Sequence, residues 1–195
     1  KRYRRGGIQA GTTGIYPDKG GNTLLQTKDK KFYRMYRMIR GVEAMDRMHT
    51  TECARHAAEA YGKFQKRLAD LDIRELSETI PRYHDTPYRM KQLLNAIRAD
   101  VCGRASRCRQ QIMFVLERSD KLGRIVEGLK DGSIPKRVTH NDTKCSNVLM
   151  EADSRQAVCV IDLDTVMPGS ALYDFGDAIR SGASTSRGES LQGRS

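Results

Sequence analysis

The alternation of apolar and polar residues divides the chain into a strand-rich beginning, a helical middle and a strand-rich end. Residues 24–26 and 32–39 flank the polar Lys28-Asp29-Lys30, and residues 32–39 alternate with a period of two, which predicts a β-hairpin. Large side chains fall on both faces of its second strand, so we expect that strand to be mostly buried. The first 23 residues are glycine-rich and weakly patterned, and no structure is predicted there.

The period becomes helical after Gly41. Six apolar positions recur at steps of three and four residues: Ala54, Ala57, Tyr61, Phe64, Leu68 and Leu71. This spacing predicts a helix that begins at Thr50 or Thr51. Pro81 and Pro87 bracket a predicted loop, and two further helical patterns follow over about residues 89–100 and 104–130.

Two short apolar runs near the end of the chain predict a second hairpin. They are Val148–Met150 and Ala157–Ile161, and the segment between them is polar. A motif of the form H-x-D-x-x-x-x-N, formed by His140, Asp142 and Asn147, precedes the first run. The acidic residues Asp162 and Asp164 follow the second run. Since the hairpin returns on itself, we expect Asn147 and Asp162 to lie at the same end.

This constellation is suited to phosphoryl transfer, which depends on positioning, charge neutralisation and a fixed metal ion. Magnesium prefers carboxylate and amide oxygens, so Asp162 and Asn147 are the predicted metal ligands. Asp142 would orient the acceptor hydroxyl and accept its proton. Lys144 would direct a positive charge at the transferred group.

Simpler interpretations of the same residues stay open. The His-x-Asp turn could be only a capped loop, and Lys144 could be a solvated surface lysine. Asp164 is interpreted equally well as a second metal contact or as a loop-capping carboxylate. His140 is interpreted as a residue that holds the loop through hydrogen bonds rather than one that titrates in a reaction.

The motif residues resemble those of the aminoglycoside phosphotransferase and choline kinase superfamily. The segments Thr139–Lys144, Cys159–Gly169 and Leu172–Arg180 are most similar to its N-acetylhexosamine 1-kinase branch, some members of which are labelled mucin desulfatase. The resemblance extends with gaps from about Phe32 to Ser184. It implies ATP and Mg²⁺ as cosubstrate and cofactor, and the anomeric hydroxyl of an N-acetylated sugar as the acceptor.

The resemblance also implies roles for residues outside the motif. Asp174-Phe175-Gly176 spells the metal-binding tripeptide of protein kinases, but it lies further from Asp142 than in those enzymes. Asp174 is therefore expected to support the loop, together with His140, while Asp162 binds the metal. His84 and Arg180 are expected to contact the acceptor, although both could be ordinary surface residues.

The implied fold is α/β (α+β) and protein-kinase-like, represented mainly by the helical large lobe. We divide the chain into a weakly patterned segment (1–23), a small-lobe hairpin remnant with the hinge (24–43), the large lobe (44–184) and a frayed tail (185–195). The sequence offers no convincing glycine-rich phosphate loop, since Gly6–Gly11 is a weak match, and no strand lysine for the α- and β-phosphates. These gaps, the initial Lys1 and the tail suggest a piece of a longer protein.

Composition argues against several other classes of protein. Five cysteines without a C-x-x-C pair favour neither a disulfide framework nor a zinc ribbon, and no apolar run is long enough to span a membrane, so a cytoplasmic location is predicted. The net charge of +11 suggests nucleic-acid binding, but no nucleic-acid motif supports it, and no such partner is predicted. The open alternatives are a kinase of the same fold acting on an aminoglycoside, an amino alcohol or a protein side chain, and an inactive fragment.

Overall fold

The computed structural model describes residues 13–183, a range that holds five α-helices and nine short β-strands. The helices are α1 (Thr51–Arg67), α2 (Thr86–Ala99), α3 (Arg109–Leu116), α4 (Arg124–Asp131) and α5 (Ala171–Gly182). The strands are β1 (Ile15–Tyr16), β2 (Leu25–Gln26), β3 (Phe32–Tyr33), β4 (Met35–Tyr36), β5 (Val42–Ala44), β6 (Arg137–Thr139), β7 (Val148–Glu151), β8 (Ala157–Val160) and β9 (Met167–Gly169). The predicted tail and the weak glycine-rich match at residues 6–11 lie outside the described range.

A three-stranded antiparallel sheet in the order β5-β7-β8 forms the centre of the core. The β7–β8 hairpin pairs Val148 with Val160, as the two apolar runs predict, and a β-bulge interrupts the register between Leu149 and Met150. Strand β5 lies where the sequence places the boundary between the hinge and the large lobe, and it pairs with β7. The division of the chain at residues 43 and 44 stays a prediction.

Helix α1 covers this sheet with one face, which confirms the periodicity prediction. Thr50 caps its amino end by accepting a hydrogen bond from the backbone N–H of Cys53. Its inward positions Ala57, Tyr61 and Phe64 are buried and contribute to the core beside Val148 and Val160. The helix therefore fixes the back of the hairpin that carries the motif residues.

A second, two-stranded sheet joins the chain before the motif to the chain after it. Strand β6 pairs antiparallel with β9, with Thr139 opposite Met167 and Arg137 opposite Gly169. Space there is so limited that a Cβ atom on Gly169 would lie 2.4 Å from the Thr139 hydroxyl oxygen. The glycine is required because the two segments approach so closely.

The prediction of a mostly buried strand over residues 32–39 was wrong. Residues 32–33 and 35–36 form two short strands paired with β2 and β1, and their large side chains are exposed. Met38 is 83% exposed. An alternating pattern shows which faces could be buried, but burial also requires a layer packed against each face.

The predicted helix over 104–130 is interrupted. The structure has short 3-10 helices at Ser106–Cys108 and Ser119–Lys121, and α3 and α4 are eight residues each. Helix α2 begins earlier than predicted, because Asp85 caps it and Pro87 is accommodated in its first turn. In the part of the chain that the structure describes, no helix has the length and apolar character to cross a lipid bilayer.

Candidate active site

The motif residues lie on a loop between β6 and β7 whose backbone is closely constrained. After β6 the chain turns at Asn141, which has a left-handed backbone (φ 67°), and a 3-10 helix at Cys145–Asn147 leads into β7. Asparagine tolerates this conformation better than most residues, and the Asn141 amide donates to the carbonyl oxygen of Thr165 at 2.9 Å. The turn directs Asp142 out of the core.

The carboxylate of Asp174, on α5, holds the beginning of this loop. It accepts hydrogen bonds from the backbone N–H groups of His140 at 3.0 Å and Asn141 at 2.7 Å, and from the side-chain amide of Gln65 at 2.8 Å. The side chain of Thr143 donates to the backbone carbonyl of Asp174. Asp174 is only 3% exposed, so these charge-assisted bonds form where water does not compete.

His140 is fully buried, and its hydrogen bonds determine which ring nitrogen carries the proton. The ring Nε2 lies 2.9 Å from the carbonyl oxygen of Ile161, which can only accept, so Nε2 carries a proton. The backbone N–H of Asp142 donates to Nδ1 at 3.3 Å, so Nδ1 is unprotonated and the ring is neutral. Tyr61 and Phe64 pack edge-on against the ring. The contacts of His140 thus join the loop to the end of β8.

Asp142, Lys144 and Asn147 form a connected polar group. The Asn147 side-chain amide donates to both the backbone carbonyl and the Oδ2 atom of Asp142, each at 2.8 Å. The Nζ atom of Lys144 lies 3.1 Å from the same Oδ2. The Tyr61 hydroxyl, on α1, donates to the Lys144 carbonyl at 2.8 Å. This bond fixes the backbone between Asp142 and Asn147. The Asp142 side chain stays 19% exposed and can meet a ligand.

Asp162 reaches the same end of the hairpin as Asn147. The backbone N–H of Ile161 donates to the Asn147 carbonyl at 2.9 Å, so the next residue, Asp162, begins beside the loop. Its backbone is also left-handed (φ 59°), which turns the chain out of β8 and leaves the carboxylate exposed. Left-handed non-glycine residues often occur at functional sites.

The donor set fits magnesium. Both bonds from Asn147 to Asp142 use its amide nitrogen and leave the amide oxygen out of these contacts. An amide oxygen and one exposed carboxylate are the hard ligands that Mg²⁺ prefers, and phosphate oxygens and water complete its shell in nucleotide sites. Across residues 13–183, no group of three His, Cys, Asp or Glu side chains is placed to hold a metal ion.

Asp164 is paired with a residue from the beginning of the chain. The Arg34 guanidinium donates to both carboxylate oxygens of Asp164, at 2.6 and 2.7 Å. Arg34, Asp162 and Asp164 line a cavity of about 440 Å³ together with apolar side chains that include Ile39 and Leu149. The cavity is large enough for a nucleotide-sized ligand.

His84 lies next to the loop, on the side of Asn141. Its Nε2 atom donates to the Asn141 carbonyl at 2.9 Å, and its ring stacks on Tyr173 with centroids 4.5 Å apart. These three residues line a second cavity, of about 290 Å³. His84 therefore supports the loop directly, and its predicted contact with an acceptor stays a prediction.

Arg180 is held on its own helix. Its guanidinium donates twice to the Oδ1 atom of Asp177, at 2.9 and 2.7 Å, and the arginine side chain is 68% exposed. Asp177 lies between Asp174 and Ser181 on the face of α5 that contacts the loop, since the Ser181 hydroxyl accepts from the backbone N–H of Cys145. Its Oδ2 atom is buried and has no hydrogen-bond partner among the described residues.

Two tyrosines near the loop have raised pKa values. Burial raises the pKa of Tyr83, the charges of Asp142, Asp177 and Asp162 raise it further, and the charge of Lys144 lowers it. Burial followed by the charges of Asp142 and Asp177 also raises the pKa of Tyr61. Both phenols therefore stay protonated at neutral pH and can donate hydrogen bonds.

Sequence reasoning missed four residues of this site: Gln65, Tyr61, Asp177 and Arg34. Tyr61 was placed only in the core stripe of α1, and its hydroxyl function has no local signature. The spacing of Asp174, Asp177 and Ser181 at steps of three and four was a signal that one face of α5 meets the loop. The pairing of Arg34 with Asp164 spans 130 positions and had no signal in the sequence.

Comparison with known proteins agrees with this architecture. Residues 21–194 match the model of the phosphotransferase enzyme family. The chain is similar to a solved structure described as a microcompartment-associated aminopropanol kinase, with 14% identity and a TM-score of 0.50 over 86% of this chain. The chain spans about half (52%) of that kinase's length. The α/β, kinase-like fold class is thereby confirmed, and the chain belongs to the phosphotransferase enzyme family.

Proposed function

We propose that this chain transfers the γ-phosphoryl group of ATP to a hydroxyl group of a small molecule. The observation that carries the proposal is the polar group at the loop: Asp142 is held by Asn147 and Lys144, and Asp162 begins beside Asn147. A carboxylate held this way can orient an acceptor hydroxyl and take its proton late in the transfer. Its effect comes from position.

The neighbouring residues supply the other requirements of the reaction. Asn147 and Asp162 would hold Mg²⁺, which neutralises phosphate charge when bound. Lys144 adds a cation within reach of Asp142 and would stabilise charge on the transferred group. Asp164 is the second candidate metal contact. His140 and Asp174 keep the loop in place, which matters because small displacements of reacting groups cost large factors in rate.

The first acceptor that we propose is the anomeric hydroxyl of an N-acetylhexosamine. Support comes from the resemblance of three segments around the loop to the N-acetylhexosamine 1-kinase branch. His84 and Arg180 are the proposed acceptor contacts, and His84 has the better position because it bonds directly to the residue before Asp142.

An amine-bearing alcohol is the second candidate acceptor. Support comes from the carboxylates of Asp142 and Asp162, which lie at the same loop, and from the similar fold of the solved structure described as an aminopropanol kinase. A cationic acceptor would be attracted to these carboxylates, whereas an uncharged sugar gains only hydrogen bonds.

The test is ADP release from Mg-ATP with a panel of N-acetylhexosamines, other sugars, aminoglycosides and amino alcohols. We expect turnover with one acceptor class, lost in Asp142→Asn and kept in Asp153→Asn, a matched change in the exposed β7–β8 turn. Turnover with amines alone would select the second candidate. No turnover with any acceptor would contradict the proposal and favour an inactive kinase-like chain.

A further inference from the structure

We propose that Arg34 is the cation of this chain that binds the phosphate groups of the nucleotide. The inference rests on the proposed function and adds a residue to it. The starting observation is geometric: the Arg34 guanidinium lies in the same cavity as Asp162 and donates to both oxygens of Asp164.

The cavity has the composition of a nucleotide site. Six aliphatic side chains line it, which suits a base: Met38, Ile39, Val42, Leu149, Ile161 and Leu163. Its acidic residues, Asp162 and Asp164, follow β8 and include the proposed metal ligand. A triphosphate with one divalent ion still carries net negative charge, so a cation is needed beside the metal. Arg34 and Arg37 both line the cavity, and Arg34 is the one whose guanidinium contacts Asp164.

The ion pair itself contributes little to stability. The side chains of Arg34 and Asp164 are 39% and 56% exposed, and exposed pairs contribute little to folding. Both contacts with Asp164 use one guanidinium nitrogen, Nη2. Guanidinium groups bind phosphate oxygens as well as carboxylates, so Asp164 occupies a donor nitrogen that a phosphate group would take.

The contact between Arg34 and Asp164 joins two distant segments of the chain at the proposed nucleotide site. Arg34 follows β3, before the three-stranded sheet begins, and Asp164 follows β8, the last strand of that sheet. Asp164 is also a candidate metal contact, and if it bound the metal, Arg34 would contact phosphate oxygens in the same cavity. The two residues would then contact the same nucleotide from opposite segments of the chain.

The experiment compares nucleotide affinities by isothermal titration calorimetry, a readout independent of turnover. The ligands are a non-hydrolysable ATP analogue with Mg²⁺, ADP with Mg²⁺, and adenosine. The variants are Arg34→Ala, Arg34→Lys and Arg98→Ala, where Arg98 is an exposed arginine on α2 that does not line the cavity. Thermal unfolding midpoints establish that each variant is folded.

We expect Arg34→Ala to weaken the affinity for the ATP analogue and for ADP by at least ~10-fold, about the loss of one charge-assisted hydrogen bond. The affinity for adenosine should not change. Arg34→Lys should recover part of the loss, and Arg98→Ala should bind like the wild type. Unchanged ATP affinity in Arg34→Ala, or an equal loss of adenosine affinity, would overturn the proposal. If the wild-type chain binds none of the three ligands, the proposed function fails and this inference fails with it.

Discussion

Removing the carboxylate of Asp174 should destabilise the fold far more than removing any exposed carboxylate. Three donors converge on it: the backbone N–H groups of His140 and Asn141, and the Gln65 amide. Both backbone groups belong to residues that are at most 2% exposed, so water cannot replace the lost acceptor. Each unsatisfied buried donor costs about 1–3 kcal/mol, and we expect Asp174→Ala to lose about 3–5 kcal/mol in total.

The isosteric change Asp174→Asn removes the charge and one hydrogen bond but keeps the size of the side chain. One amide oxygen can still accept from two donors, but the new NH₂ group then faces the third N–H. We expect a loss of about 1–3 kcal/mol, smaller than for alanine. Asp153→Ala, in the exposed turn of the β7–β8 hairpin, is the matched control and should stay within about 0.5 kcal/mol of the wild type.

The assay is equilibrium unfolding in urea at pH 7, followed by circular dichroism. A loss below about 1 kcal/mol in Asp174→Ala would refute the bracing role, because three buried charge-assisted bonds cannot be removed at so small a cost. The rival role, a metal ligand like the tripeptide carboxylate of protein kinases, predicts the opposite pattern. It gives nearly unchanged stability in Asp174→Asn together with lost Mn²⁺ binding, measured by electron paramagnetic resonance.

Further predictions concern other contacts of the loop and one buried thiol. Gly169→Ala should destabilise the chain by about 1–3 kcal/mol in the same urea assay, since the new Cβ overlaps the segment before the motif. Tyr61→Phe should cost about 1 kcal/mol there, because it removes the hydrogen bond to the Lys144 carbonyl. Burial raises the pKa of Cys159 from 9.0 to about 11, so its thiol stays neutral in the folded chain while an unfolded thiol ionises, and stability should fall as pH rises through this window. Mass spectrometry after iodoacetamide treatment at pH 8 should accordingly find the exposed Cys102 labelled and Cys159 unlabelled.

Local patterns were sufficient to predict helix α1 and the β7–β8 hairpin. The buried face of α1 repeats every three or four residues, and the hairpin runs are strongly apolar, so each element is specified by its own residues. The motif of His140, Asp142 and Asn147, just before the hairpin, could be recognised because phosphoryl transfer requires particular residue types at a fixed spacing. The return of the hairpin on itself is enough to predict that Asn147 and Asp162 lie near each other.

Long-range pairing explains what could not be predicted. Strands β5, β6 and β9 are three residues each, too short for a periodic signal, and they form only because distant segments pair with them. The exposed strands over residues 32–36 satisfy an alternating pattern without a layer to cover them. Contacts such as Arg34 with Asp164 depend on the fold as a whole, so a single sequence gives no signal for them.

The most direct test of the account is single-turnover transfer of labelled phosphate from γ-³²P-ATP to the acceptor identified in the panel. Wild type, Asp142→Asn and Asp153→Asn are compared at equal Mg²⁺ and equal nucleotide occupancy. The account predicts labelled acceptor with the wild type and the control, and a rate lower by at least ~100-fold in Asp142→Asn, as expected when a positioned base is lost. A rate in Asp142→Asn within about threefold of the wild type would contradict the assignment of Asp142 as the centre of the reaction, because loss of a positioned base costs far more.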